Sequence, residues 1–415
     1  MDSILHHLDI VFTEPVRDPL WGTIMLPGEF KGILSSPDFV KLSRIMQLGP
    51  THLVYPGATH TRRAHSIGVY SMALKVLKAI APGAASGLIT PEGARAFLIA
   101  ALCHDIGHFP YAHSLKELPL DEHEVLTARV LTGNMAEAIS QAGADPAQVA
   151  AIVDMHLEPL GAGTGLYRKL LSGVLDPDKL DYLNRDAWAC GVPYGVQDTE
   201  FILRHIMLDK DGNPGVDERG VMGVEGVLFS KYQMYKAVYW HKMVRSATAM
   251  VKKAVIAALH AGSLDSSALY GLDDAGFYAL MSRPDRDPDG LIQAVFDGNL
   301  MACCYEAPFD EASSQQRKAA HLVTRPAFER ELAEALSRKS GRPVQVVMDL
   351  PEPLSFETGM TVVGTGRPFG DSATVFRPAV VKGFSGSLRV MRVFCDVEPA
   401  LAGSLVSEAL SPSKR

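Results

Sequence analysis

Apolar residues recur at helical spacing through the first two thirds of the chain. Phe39, Leu42, Ile45 and Met46 share one face between Pro37 and Leu48 and predict a helix there. Val69, Met72, Ala73, Val76 and Leu77 repeat the pattern from His65 to Ile80. Thr90-Pro91-Glu92-Gly93 offers an N-cap and a first-turn proline for a helix expected to carry Cys103, His104 and Asp105. Further helices are expected from Leu120 to about Leu131, from Asp145-Pro146 to near His156, and, as one long element, from about Val227 to His260. Asp211-Gly212-Asn213-Pro214-Gly215 separates short β-prone runs between Ile206 and Val224 and predicts a hairpin. Gly161-Ala162-Gly163-Thr164-Gly165 lacks the lysine of a phosphate loop and the strand context of a dinucleotide fingerprint, so it reads as a connector.

The pattern changes beyond the Pro- and Asp-rich turn at Asp285 to Asp289. Residues 324–338 predict an amphipathic helix. Residues 344–348, 361–363, 373–376 and 388–394 predict strands, and Glu398 to Leu410 a last helix. The expected fold is mostly α: a helical core over residues 1–285 with a small β-hairpin, followed by a C-terminal α+β subdomain over residues 286–415.

Composition narrows the partners. With 415 residues and 47% hydrophobic content the chain can bury a large core. A net charge of -7 argues against stable binding to nucleic acid, which needs a broad basic surface, but leaves room for a small anionic substrate. No apolar run reaches 18 residues, so no membrane span is expected. Met1 to His7 show no basic-then-apolar leader. Five cysteines without CxxC spacing read as reduced thiols, and the expected location is cytoplasmic.

The densest chemistry is Leu102-Cys103-His104-Asp105-Ile106-Gly107-His108. Neighbouring side chains on a helix diverge by about 100°, so a His-Asp pair converges only on something held between the two. An imidazole nitrogen and a carboxylate oxygen can meet there on a metal ion. His65 lies upstream in Thr61-Arg62-Arg63-Ala64-His65-Ser66. Asp178 lies downstream in Asp178-Lys179-Leu180-Asp181-Tyr182-Leu183-Asn184-Arg185-Asp186.

This ordered set, H…HD…D, resembles the HD-domain superfamily of metal-dependent phosphohydrolases. Pro56 to Val69, His104 to His113 and Asp178 to Asp186 are similar to the three motifs of its deoxynucleoside triphosphate triphosphohydrolase branch, which holds bacterial dNTPases and the mammalian SAM-and-HD-domain enzyme. The likeness runs from about residue 14 to about residue 262, with metal motifs across 62–186. It implies a helical HD-domain core and one divalent metal ion on His65, His104, Asp105 and Asp178. A mixed N/O set suits Mn, Fe, Co, Ni, Zn or Mg and not a structural zinc. It also implies hydrolysis of a dNTP to deoxynucleoside and inorganic triphosphate.

The remaining site residues follow by motif. Arg62, Lys179 and Lys231 would hold phosphates, Lys231 standing where the family usually has an arginine. His108, His113 and His123 would handle protons, with Glu124 orienting His123 and raising its pKa. Gln47 and Leu48 would meet the 3'-hydroxyl and the base, Tyr182 and Asp186 the phosphates and the 3'-hydroxyl. Tyr239 would pack against C2' and exclude a ribose hydroxyl. An HD-domain phosphodiesterase or nuclease acting on single-stranded DNA or a nucleotide second messenger is the alternative. A homo-oligomer, dimer or tetramer, is implied by resemblance. The positions that grip an activator guanine in the regulated mammalian enzyme fall here on Ser35, Val40 and Ser43, and its lysine falls near Glu14, so no such activator site is expected.

Overall fold

The computed structural model describes residues 12–84, 88–161, 163–372 and 374–410. Met1 to His7, Ala162 of the connector and Ala373 of an expected strand lie outside them. The described chain opens on an antiparallel hairpin that the hydrophobic pattern did not predict, β1 (Phe12–Asp18) and β2 (Gly22–Pro27). Its turn is fixed by Asp18, whose carboxylate accepts from the backbone N–H groups of Leu20 and Trp21.

The helix expected over 37–48 is shorter. α1 (Pro37–Lys41) passes into a 3-10 turn at Leu42–Arg44. The chain then extends, and its backbone trades hydrogen bonds with residues 60–62: Gln47 N–H reaches His60 O at 3.0 Å, and Arg62 N–H reaches Ile45 O at 3.0 Å. This pairing sets Gln47 beside the first motif.

α2 (Arg62–Ile80) starts at the Thr61 cap. α3 (Pro91–Cys103) starts at the Thr90 cap and ends one residue before the His-Asp pair. His104 is thus the C-cap and Asp105 lies in the turn beyond it, not on the helix. α4 (His123–Thr132), α5 (Pro146–Val153), α6 (Thr164–Leu171) and α7 (Pro177–Cys190) follow. α2 packs against both α3 and α7. Gly68 marks the closest approach to α7, where an added Cβ would stand 2.0 Å from Asp181 Oδ1 and 2.4 Å from Arg185 Nη2.

The expected hairpin is present as β3 (Ile206–Leu208) and β4 (Pro214–Val216). Asp209 accepts from the N–H groups of Asp211 and Asn213 in its turn. The long helix expected over 227–260 is broken into α8 (Val221–Met234) and α9 (Lys242–His260). Between them Tyr235–Tyr239 form a π-helical turn, closed by Trp240 N–H on Tyr235 O at 2.9 Å, and His241 is extended. One extra residue in the turn rotates the faces that follow. No proline or glycine signals it, so the apolar periodicity reads as continuous.

α10 (Asp274–Met281) and α11 (Leu291–Phe296) cover one end of α9. The C-terminal third contains β5 (Ala302–Pro308), α12 (Arg325–Ser340), β6 (Val346–Asp349), β7 (Thr361–Val362), β8 (Arg367–Pro368), α13 (Pro378–Leu388), β9 (Val390–Cys395) and α14 (Pro399–Leu410). An antiparallel sheet of order β5-β9-β6 packs with α12 and α14 around Leu332, Leu336, Val346, Val393 and Val406. No strand forms over 374–376; Val375 N–H is taken instead by the Glu225 carboxylate.

Residues 351–388 depart from that layer. β7 joins β4 in parallel and β8 joins β7, extending the small hairpin to four strands. Leu354, Phe356, Met360, Val362, Phe369 and Phe376 are buried in the same core as α2 and α3. This return of the chain carries residues 351–355 and Glu357 to the wall of a cavity in the helical core.

Candidate active site and metal centre

The first residues of α2, the end of α3 and the first turn of α7 converge. His65 Nε2 lies 3.0 Å from Asp178 Oδ1 and 3.9 Å from Asp105 Oδ2. His104 Nε2 lies 3.3 Å from Asp105 Oδ1 and 3.8 Å from Asp178 Oδ1. One ligand atom each from His65, His104 and Asp178 falls within 4.8 Å of the others. Both imidazoles present the same nitrogen because the other is tied back. His65 Nδ1–H donates to Asp181 Oδ2 at 2.9 Å, and His104 Nδ1–H donates to Ala101 O at 2.9 Å. Such outer contacts fix the tautomer that leaves Nε2 free for a metal.

The charge balance also fits a cation. Burial opposes charge on His65, yet its hydrogen bonds to Asp178 and Asp181 push its pKa up to about 10, so a proton on Nε2 holds the place that a metal ion would take from it. Burial likewise opposes charge on Asp105, but His104, His108 and Arg62 hold its carboxyl well below the usual range. These carboxylates are thus held ionised around the two Nε2 atoms. The four residues expected as ligands are brought together: His65, His104 and Asp178 form a group able to hold a metal ion, and Asp105 lies beside both imidazoles.

Behind the cluster stands a buried network that the sequence reading missed. Asp181 accepts from His65, from Arg185 Nε at 2.8 Å and Nη2 at 2.9 Å, and from Trp21 Nε1 at 2.5 Å. Arg185 also reaches Asp18 at 2.9 Å, tying the β1–β2 hairpin to the metal-side helix. The Asp181/Arg185 spacing of four residues on one helix was its available signal.

A cavity of about 850 Å³ opens from the cluster. Its wall includes Gln47, Leu48, Arg62, His113, His123, Lys179, Tyr182, Asp186, Lys231 and Tyr239. Of the expected proton handlers, His108 is fully buried and Glu124 stands behind His123, neither lining the cavity. The three histidine rings cluster: His108 stacks on His123 at 3.9 Å between centroids, and His113 lies tilted against His108 at 4.7 Å. Gly107 permits this approach: a Cβ there would stand 2.3 Å from Thr127 N and 2.5 Å from His123 O.

The trio is neutral near pH 7. Burial lowers all three pKa values, with help from Arg62 and from one another, His113 to about 4. Glu124 Oε2 does lie 3.0 Å from His123 Nδ1. It does not raise that pKa as expected, because burial and the neighbouring His108 and His113 dominate.

At the other side of the cavity Asp186 is held between two groups, His60 Nε2 at 2.8 Å and Tyr239 Oη at 2.6 Å. His60 stood inside the first motif without an assigned role. The π-helical turn delivers Tyr239 to this position, and Tyr182 meets it edge-on at 6.4 Å. Gln47 lines the cavity, and its Oε1 is buried with no hydrogen-bond partner among the described residues.

The expected phosphate cations are present but engaged. Arg62 Nη1 donates to Asp105 Oδ2 at 2.7 Å, while its Nε has no partner among the described residues. Lys179 donates to Asp176 at 2.5 Å and to Gly173 O at 3.0 Å. Lys231 donates to Ser355 O at 2.9 Å and to Glu357 at 3.1 Å.

Tyr111 closes another part of the wall. It is the one non-glycine residue with positive φ, 63°, among the described residues, and its hydroxyl meets that of Tyr278 at 2.6 Å.

Residues 62–185 match the HD domain family, and residues 197–370 match the HD associated region. An uncharacterized protein of Methanocaldococcus jannaschii, MJ1154, is 33% identical over 65% of this chain and 57% of its own. The deoxynucleoside triphosphate triphosphohydrolase SAMHD1 of Danio rerio is 26% identical over 61% of this chain and 47% of its own. The chain spans about half the length of the curated relatives it matches. A phosphohydrolase structure from Bacteroides thetaiotaomicron, BT4208, shares the fold with a TM-score of 0.70 at 20% identity, covering 93% of this chain and all of that one. Among the described residues no helix is long and apolar enough to cross a membrane.

Proposed function

We propose that this chain, which belongs to the HD-domain superfamily of phosphohydrolases, hydrolyses deoxynucleoside triphosphates to deoxynucleoside and inorganic triphosphate. One observation carries the reading. The cavity that opens from His65, His104 and Asp178 is also lined by Gln47, Asp186 and Tyr239 and by Arg62, Lys179 and Lys231. A phosphorus held at the cluster then has polar groups suited to a sugar and a set of cations within the same enclosure.

One divalent ion held by His65, His104, Asp105 and Asp178 would polarise the α-phosphoryl oxygen and acidify a water. The residues around it do the rest. Arg62, bonded to Asp105, turns its remaining N–H groups toward the phosphate. His113 and His123 line the cavity, and one of them passes to the departing 5'-oxygen the proton that the attacking water gives up as its oxygen bonds to phosphorus; both are neutral at rest, so the acid form exists only after that proton has been taken up. Asp186 and the Gln47 amide hold the 3'-hydroxyl. Tyr239, pinned by its hydroxyl, fills the space beside C2'. A homo-oligomer working in the cytoplasm is part of the same reading.

The test is a product assay with each dNTP, each NTP and single-stranded DNA across several divalent metals. Triphosphate with deoxynucleoside supports the reading. Pyrophosphate or orthophosphate as first product, or turnover of DNA alone, replaces it with a pyrophosphatase or the phosphodiesterase alternative.

A further inference from the structure

The chain places a carboxylate on the cations assigned above to the polyphosphate. Lys231 Nζ has three donors. One goes to Ser355 O at 2.9 Å, and Glu357 Oε2 and Oε1 stand at 3.1 and 3.4 Å. Lys179 spends two on Gly173 O and Asp176, and its Nζ lies 3.8 Å from the same Glu357 Oε2. Both lysine side chains are nearly buried, 6% and 11% exposed, so water does not easily take over these contacts. Lys231 cannot meet a phosphate fully while Glu357 stays, and Lys179, already paired with Asp176 at 2.5 Å, has the same carboxylate as its second ion-pair partner.

Glu357 is not a loose surface charge that happened to fall there. It belongs to the extended segment Pro351-Glu352-Pro353-Leu354-Ser355-Phe356-Glu357, in which two prolines restrict the backbone. Leu354 and Phe356 are buried in the helical core, and Leu354 O accepts from Ser385 Oγ at 2.7 Å. Arg389 Nε holds Pro351 O at 3.3 Å. The backbone is therefore anchored on both sides, while the carboxylate's own polar partners are the two lysines and, at 3.5 Å, Ser355 Oγ.

We propose that Glu357 occupies the position of the substrate's terminal phosphates and selects ligands carrying enough negative charge to displace it from Lys231 and Lys179. This rests on the dNTP reading of the same cavity. A triphosphate tail brings several anionic oxygens to the two lysines and can replace one carboxylate. A monophosphate, held near the metal cluster, cannot reach or outcompete it. Glu357 thus makes the site discriminate by the length of the phosphate chain.

The experiment uses the whole chain and inorganic tripolyphosphate as the probe, with binding read by calorimetry and dNTP hydrolysis measured in parallel. Glu357→Gln keeps the side-chain shape and removes the competing charge. It is expected to bind tripolyphosphate about tenfold tighter, the scale of losing one charged hydrogen-bonding competitor. KM for the dNTP should fall by a similar factor, with kcat changed less. Adding Lys231→Gln should cancel the gain. Glu352→Gln removes a charge from the same segment and the same cavity wall, but not one paired with either lysine in the ion pairs at Glu357, and should change binding little.

Unchanged or weaker tripolyphosphate binding in Glu357→Gln, with dNTP hydrolysis intact in the unmodified chain, overturns the proposal and leaves the dNTP reading standing. An equal gain from Glu352→Gln overturns it too, since general electrostatics would then explain the effect. Absence of both dNTP hydrolysis and tripolyphosphate binding in every form removes the dNTP reading, and this proposal with it.

Discussion

Replacing Asp181 by asparagine tests the metal centre through a residue that touches no substrate. The carboxylate accepts four hydrogen bonds, from His65 Nδ1, Trp21 Nε1 and two nitrogens of Arg185. Asparagine keeps one acceptor oxygen and presents an NH2 group to donors on its other side. Arg185, 1% exposed, is left with Asp18 as its remaining carboxylate. Removing one partner of a buried ion pair costs about 3–5 kcal/mol. At roughly 2 cal/mol/K of unfolding entropy per residue, a chain of 415 residues should melt about 3–6 °C lower. The effect on the site is separate. His65 loses the contact that fixes its tautomer, and loss of such a contact lowers metal affinity roughly 10–100-fold. Calorimetric melting checks the first figure, and retained metal after graded chelator treatment checks the second. An Asp181→Asn variant that melts and holds metal like the unmodified chain would refute the argument that this network orients His65.

Other outcomes follow from the same geometry. Gly68→Ala should destabilise the chain at least as much as Asp181→Asn, because the new Cβ would overlap both Asp181 and Arg185; a melting point within 1 °C, about 0.8 kcal/mol by the same conversion, would speak against the close approach of α2 and α7. Tyr239→Ala should raise turnover of NTPs relative to dNTPs about ten- to a hundredfold, whereas equal turnover of both by the unmodified chain would rule out the steric gate. Asp349, buried against Arg245 at 2.5 Å, resists burial and is held below the ordinary carboxylate pKa by Arg245, Lys252 and Arg325. The stability it contributes is therefore present above the ordinary aspartate value and lost as pH falls through the folded one. Melting of the unmodified chain should drop in acid, and Asp349→Asn should flatten that drop; parallel curves would count against it. Millimolar GTP should change neither rate nor sedimentation, since Ser35, Val40 and Ser43 offer no carboxylate, amide or guanidinium and Glu14 repels phosphate; a GTP-dependent rise in both would contradict this.

The convergence of the four expected ligands was legible because each sits within a short contiguous motif at the end of a regular element. Thr61, Thr90 and Asp176 cap the helices that place His65, His104 and Asp178, and such caps are written locally. The same locality explains the errors. The apolar stripe over 227–260 continues across the π-helical turn, because one inserted residue leaves composition and periodicity nearly unchanged while rotating the faces that follow. The 37–48 stripe ends early because Ile45 and Gln47 spend their backbone groups on residues 60–62, a pairing that no periodicity encodes. His60, Asp181 and Arg185 lay inside quoted motifs, yet their roles depend on partners from other elements: Asp186 on α7, Trp21 and Asp18 in the first hairpin.

Glu357 is the extreme case. It stands 126 residues after Lys231 in the chain, in a segment without helical or alternating pattern, and two prolines there remove backbone donors that a strand would have needed. Its neighbours Leu354 and Phe356 read as isolated apolar residues until the chain's return over the helical core buries them. A lysine expected to hold phosphate looks free in sequence; its charge is in fact already balanced by a distant residue. Sequence motifs therefore named the groups proposed to act on phosphorus, but the carboxylate proposed to compete for their phosphate chain meets them only once residues 351–357 have folded back across them.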